Sequence, residues 1–210
     1  MFKSTLGAAV LLASLALAQN ANATLIFADN FNTEKLGLNY NGFAKWDVTE
    51  GSVDLIGAVN FFQFFSKAQG RYVDLDGTPL GVKPTPASVL STKTIFKAGT
   101  YTLSFLLAGN QREKTQKSTE VTLGDFSVVI GPLPEFTPLT LETFTFTTTG
   151  GKLTFTELGK SDLKGNILDD VVLTTAVPEL STWAMMLLGF GLVGLQVRRR
   201  SGGTRFNATA

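Results

Sequence analysis

Asp74-Leu75-Asp76-Gly77 places two carboxylates two residues apart, beside a glycine turn. On an extended strand they share one face. Such a pair can hold a hard cation such as Ca²⁺, which takes six to eight oxygens; alternatively, Asp76 can cap a turn by accepting backbone amides. Asp169-Asp170 forms a second carboxylate pair at the start of the last strand-like segment. Adjacent strand residues face opposite ways, so one of the two points inward and needs a cation or several donors. Cysteine and histidine are absent. That excludes Ser-His-Asp triads, Cys-His pairs, His/Cys zinc sites and disulfides. Glycoside hydrolysis by two carboxylates needs neither residue, and Glu50, Asp54, Asp74, Asp76, Glu120 and Asp125 are its candidates, with nothing to single out a pair.

Aromatic and amide side chains suggest binding instead. "NFFQFFSK" (60–67) carries four phenylalanines around Gln63. A strict strand alternation cannot bury all of them on one face, so some ring meets a loop, a second core or solvent. Filling the space between two sheets is the plainer role for phenylalanine. Exposed rings stack on sugars, and Trp46 and Tyr72, each with a polar tip, are the better single candidates. Trp46 also suits a core anchor. Asn110, Gln111 and Arg112 form a polar cluster at a strand end that can meet sugar hydroxyls or face solvent as a loop.

The elements that must carry these groups read as strands. "TYTLSFLLAG" sets Tyr101, Leu103, Phe105 and Leu107 on one face against Thr100, Thr102 and Ser104 on the other. "LETFTFTTT" places Phe144 and Phe146 in phase, with Leu141 out of it, and "GKLTFTEL" adds Leu153 and Phe155. Gly150-Gly151 between them predicts a hairpin. Further strands are expected at 25–28, 44–48, 52–56, 71–75, 89–96, 120–130 and 167–174, with loops at 77–88, 109–120 and 131–138. About ten short strands with no sustained helical period predict an all-β, jelly-roll-like β-sandwich.

The two ends differ from this body. Residues 1–23 have Lys3, an apolar stretch from Leu6 to Ala18, and Ala21-Asn22-Ala23. This is the pattern of a secretory signal peptide, handled by the Sec translocon and signal peptidase. Residues 24–175 hold 13 Lys/Arg and 16 Asp/Glu, a net of −3, so no basic stripe invites nucleic acid. Trp183–Val197 is apolar apart from Gln196, and extending back to Leu180 gives near spanning length, with Trp183 at one boundary and Arg198, Arg199 and Arg200 at the other. The arginines predict a transmembrane helix with its C-terminal side, and the short tail 201–210, in the cytoplasm.

Val177-Pro178-Glu179, the apolar helix and the arginine cluster together resemble the PEP-CTERM sorting signal of exopolysaccharide-producing bacteria (residues 176–200), also catalogued as the ice-binding-protein C-terminal domain, a label that implies no ice binding. The resemblance implies recognition of Pro-Glu by an exosortase-type membrane processing enzyme. Leu180 stands where that pattern has a second proline, and ten residues follow the arginines where it usually stops. The body is similar to exported galactose-binding-like jelly rolls: "GSVDLIG", "RYVDLDGT", "YTLSFLLAGNQR" and "ILDDVVLT" carry the likeness. That resemblance implies a sandwich related to carbohydrate-binding modules. It also implies a structural calcium at Asp169 or Asp170 with Asp29 or Glu34 opposite. The expectation is an exported, surface- or matrix-associated, non-catalytic module that meets extracellular polysaccharide. A glycan-processing hydrolase and a purely structural matrix protein are the alternatives.

Overall fold

A computed structural model of the chain describes residues 23–57, 62–66, 69–79, 88–112, 115–175, 188–194 and 198. Thr24–Ala176 is one compact unit. It contains β1 (Leu25–Asp29), β2 (Trp46–Glu50), β3 (Asp54–Ile56), β4 (Tyr72–Asp74), β5 (Val89–Thr92), β6 (Gly99–Ala108), β7 (Lys117–Leu123), β8 (Phe126–Leu133), β9 (Thr140–Thr148), β10 (Leu153–Leu158) and β11 (Ile167–Thr175). One sheet runs β3-β4-β11-β6-β9, with β1 also on β11; the other runs β2-β5-β10-β7-β8. Every pairing between these strands is antiparallel.

The alternation in the sequence explains how the sheets meet. Tyr101, Leu103, Phe105 and Leu107 of β6 and Leu168, Val171 and Leu173 of β11 join Val121 and Leu123 of β7 and Leu153 and Phe155 of β10 in one buried cluster. Phe105 and Phe155 meet edge to face across the two sheets, 5.1 Å between centroids. Each such side chain stabilises the sandwich by about 1.5–3 kcal/mol. At one open side, edge strands β8 and β9 are bridged by Phe126 stacked on Phe146 at 3.7 Å.

Two expectations about the strands change. Gly150-Gly151 does not close a hairpin, because β9 and β10 belong to different sheets. The glycines, both at positive φ, carry the chain from one sheet to the other, and Gly151 bridges to Phe96 instead. The stretch 120–130 is not one strand but a turn at Gly124-Asp125 between β7 and β8, a hairpin. Gly124 takes a left-handed φ of 61°, which a glycine adopts without strain.

The phenylalanine-rich loop also differs from the plainer expectation. Ile56, Tyr72, Ala108 and Ile167 lie on the opposite face of their sheet from Leu55, Val73, Leu107 and Leu168. Phe64, Phe65 and Leu139 cover that outer face as a second, smaller core. So β3 and β4 are buried on both sides.

Residues 188–194 are helical and exposed, and Arg198 is helical. Among the described residues no helix is long and apolar enough to cross a membrane. Val177, Pro178, Glu179, Trp183, Arg199 and Arg200, with the expected signal peptide up to residue 22 and the tail 201–210, lie outside the described residues.

Candidate functional site

The loops that follow β4 gather the densest polar network. Asp74 and Asp76 are both buried, at 0% and 1% exposure. Asp74 Oδ1 accepts the amides of Asp76 (3.0 Å) and Gly165 (2.8 Å), while the Arg112 guanidinium pairs with Oδ2. A Cβ at Gly165 would lie 2.1 Å from the Asp76 nitrogen and 2.6 Å from Asp74 Oδ1, so only glycine lets this loop rest on the two aspartates. Asp76 Oδ1 accepts the Ser161 hydroxyl at 2.6 Å. Its Oδ2 accepts the amides of Asp162 (2.8 Å) and Leu163 (3.1 Å) and faces Lys117 Nζ at 3.3 Å. The two carboxylates accept from separate sets of donors. Each has its own basic partner, and Asp76 caps the 161–164 turn rather than its own.

Lys117 and Glu157 complete this end. Both occupy inward positions of their strands, in phase with Val121 and Phe155. Lys117 Nζ also lies 3.2 Å from Asp162 Oδ1 and donates to the Lys160 carbonyl. Burial works against Asp162's charge, but bonds from Thr115 and Lys117 hold its carboxyl below the usual range. Glu157 accepts the Asn166 amide and the Thr119 hydroxyl, each at 3.0 Å. Burial pushes its carboxyl up to about 8, against these two bonds and the Lys117 charge, so it is neutral at pH 7. The Asn166 Oδ1 atom, buried alongside, has no hydrogen-bond partner. Sequence reading passed over Lys117, Glu157, Asp162 and Asn166. The strand phase was the available signal: a lysine and a glutamate at inward positions must find partners.

The other carboxylate pair lies where β11 changes neighbours. Ile167 and Leu168 pair with β4, whereas Val171–Thr174 pair with β1. At this junction the register with β6 shifts between Asp169 and Val172, and Asp170 takes a φ of 48°. Asp169, in phase with Ile167, faces the outer layer and is fully buried, accepting Gln69 Nε2 at 2.6 Å and the Asp170 amide at 2.7 Å. Burial, helped by the charges of Asp170 and Asp29, raises its carboxyl to about 7. Asp170 is exposed and lines a pocket of about 320 Å³ with Asp29, Asn30, Thr33 and Lys45. Asp29 accepts the Phe31 amide at 3.1 Å and Trp46 Nε1 at 2.8 Å, with Lys45 Nζ 3.9 Å away. Glu34 is spent elsewhere, on the Ala44 amide and the Tyr40 hydroxyl. Among the described residues no three carboxylates are grouped to hold a metal.

Two of the four ligand-binding candidates, Trp46 and Tyr72, cannot offer their rings. Trp46 is fully buried in the main core against Phe27, Phe31 and Phe155. Tyr72 is fully buried under Phe64 and Phe65, its hydroxyl donating to the Phe62 carbonyl at 3.0 Å. Burial lifts its phenol above the usual range. Asn110 is buried too, and its amide braces the loop by donating to Thr115 and accepting the Arg112 amide. Arg112 alone reaches the surface. Its side chain is one quarter exposed, and its guanidinium donates to the Leu163 carbonyl at 2.6 Å and lies 5.3 Å and 5.9 Å from the ring centroids of Phe64 and Phe62. Phe62 is half exposed.

The hydrolase candidates are mostly engaged as acceptors. Asp54 takes the Asn39 and Thr78 amides and the Thr78 hydroxyl. Glu120 takes the Ser127 hydroxyl, and Asp125 takes the Thr149 amide and hydroxyl. Glu50 ends β2, exposed.

No family model matches the chain, and no curated protein does. Solved structures are similar to it. The K3 cleaved adhesin domain of Lys-gingipain from Porphyromonas gingivalis W83 superposes with a TM-score of 0.52 at 14% identity, over 74% of this chain and all of that one. TmCBM61, solved with β-1,4-galactotriose, gives 0.45 at 19% identity, over 70% of this chain and 94% of its own. The CBM22-1–GH10 modules of Clostridium thermocellum xylanase 10B, solved with xylohexaose, give 0.45 at 13%, over 74% of this chain and 29% of theirs. The adhesin domain establishes the all-β sandwich as the shared architecture.

Proposed function

We propose that this chain is an exported, non-catalytic sandwich module that binds polysaccharide at the outer patch formed by Phe62, Phe64 and Arg112. The observation that carries this reading is the half-exposed Phe62 ring held beside a partly exposed guanidinium. A sugar's CH face stacks on such a ring, and a guanidinium with unspent N–H groups donates to hydroxyls. Arg112 is preorganised by Asp74 and Leu163, which lowers the entropy lost on binding. The engagement of Asp54, Asp74, Asp76, Glu120 and Asp125 by the protein's own donors supports a binding role over hydrolysis.

Delivery rests on the two ends. The N-terminal segment takes the chain through the Sec translocon to signal peptidase. The Pro178-Glu179 segment then holds it in the inner membrane for an exosortase-type enzyme, and the module reaches the cell surface or matrix. A structural calcium belongs to this proposal. Asp29 and Asp170, which line one pocket, would hold it beside Asp169 and give buried Asp169 the positive charge it lacks, although among the described residues the three carboxylates are not grouped without the ion.

Glycan-array binding of the full chain, compared with Phe62→Ala, tests the site. The variant is expected to bind at least tenfold more weakly with unchanged melting. Turnover of any glycan that is lost in an Asp/Glu→Ala variant defeats the reading. Mass spectrometry of the secreted form tests sorting, with a terminus near Pro178 as the expected result.

A further inference from the structure

The Lys117 amino group is held away from water against a carboxyl group. Its side chain is 4% exposed and that of Asp76 is 2% exposed, with Nζ and Oδ2 3.3 Å apart. The two come from opposite sheets: Lys117 opens β7 on its inner face, and Asp76 follows β4. The Asp162 and Leu163 amides and the Ser161 hydroxyl converge on the same carboxyl group. Such a nest also stabilises the oxyanion of a tetrahedral adduct at that carbon. A third group lies on the same inner face. Glu157 pairs across the ladder with Thr119, two residues beyond Lys117 on the same inner face. Its carboxyl is neutral at pH 7, and the charges of both Lys117 and Asp76 act on it.

We propose that Lys117 and Asp76 form an intramolecular isopeptide bond between the two sheets, with Glu157 positioned to relay the protons. The ammonium of Lys117 gives one proton to the Asp76 carboxylate through Glu157, leaving a neutral amine and a neutral acid. The amine lone pair attacks Asp76 Cγ, the Nζ–Cγ bond forms, and the negative charge settles on the oxygen held by the Asp162 and Leu163 amides. The nitrogen loses a second proton to Glu157, which passes it to the departing hydroxyl. The Cγ–O bond breaks, one water leaves, and Glu157 regains its starting state. No oxidant or co-reactant is needed. Asn166 is not the partner, because its amide binds the Lys117 carbonyl and Thr119 Oγ1 rather than Nζ. Asp162 is the more exposed neighbour, at 35%, so water competes there.

The bond closes a separation of 41 residues in a chain that has no cysteine. It restricts the unfolded chain as a disulfide does.

Intact mass spectrometry of the denatured full-length chain decides the matter. The expected mass is one water below the sequence mass, with a missed tryptic cleavage after Lys117 and a branched peptide containing Asp76. Lys117→Arg, which keeps the charge, should sit at full mass and melt at lower temperature. Glu157→Gln, scored only if its circular dichroism matches the wild type, should also stay at full mass, which a purely structural role would not produce. A wild-type chain at full mass with an ordinary Lys117 peptide overturns the proposal. So does a link mapped to Asp162, or a loss of ammonia mapped to Asn166.

Discussion

Asp76 and Asp169 are both buried aspartates attached to the same sheet, and their surroundings treat them in opposite ways. Asp76 meets an ammonium, a hydroxyl and backbone amides. Asp169 meets one side-chain amide and the amide of its neighbour, and no cation pairs with it among the described residues. Burial is equal; compensation is not. The first site surrounds its carboxyl group with donors, whereas at the second the carboxyl rises to about 7 and holds its proton in mild acid. A buried carboxylate is thus a structural strut or a liability according to the donors that distant segments bring to it.

The largest effect expected from breaking this contrast comes at the compensated end. Asp76→Ala strands Lys117 and removes the acceptor of the 161–164 turn, and should cost about 3–5 kcal/mol in urea unfolding. A loss below about 1 kcal/mol would mean that the network does not hold the fold. Next comes Asp169. Its folded value of about 7 stands above the ordinary 3.8, so between those values the native state keeps a proton that the unfolded chain has released. Its contribution is fully present below about pH 4 and is lost as pH rises to about 7, by up to about 1.4 kcal/mol per unit. Asp169→Asn should flatten that part of the stability–pH curve relative to wild type. If calcium neutralises the site, Ca²⁺ should raise the melting temperature of wild type at pH 8 and leave Asp169→Asn unmoved; equal responses would remove calcium from Asp169. The smallest effect should follow Trp46→Phe, which keeps most of the core contacts but orphans Asp29 Oδ2, at about 1–3 kcal/mol.

Several site residues were visible only in part from the sequence. Asp74, Asp76, Asp169, Asn110 and Arg112 could be picked out as polar groups at strand ends, and they do belong to the two networks. Their roles could not. Asn110 looked like a surface amide and is a buried brace; Trp46, which suited a sugar stacker or a core anchor, fills the core. Phe62 was one of four similar rings until the loop's fold over the outer face left it half exposed.

Residue alternation is local, so the sequence alone determined that the body is built of strands, which face of β6 and β10 is apolar, and that disulfides and histidine chemistry are absent. Which strands share a sheet is a non-local fact, and it turned Gly150-Gly151 from a hairpin into a crossover. The partners of the buried charges are equally distant: 41 residues separate Lys117 from Asp76, 38 separate Arg112 from Asp74, and 100 separate Gln69 from Asp169. Only the packed sheets bring those groups together, because the energy that fixes a buried charge comes from donors that no local pattern encodes.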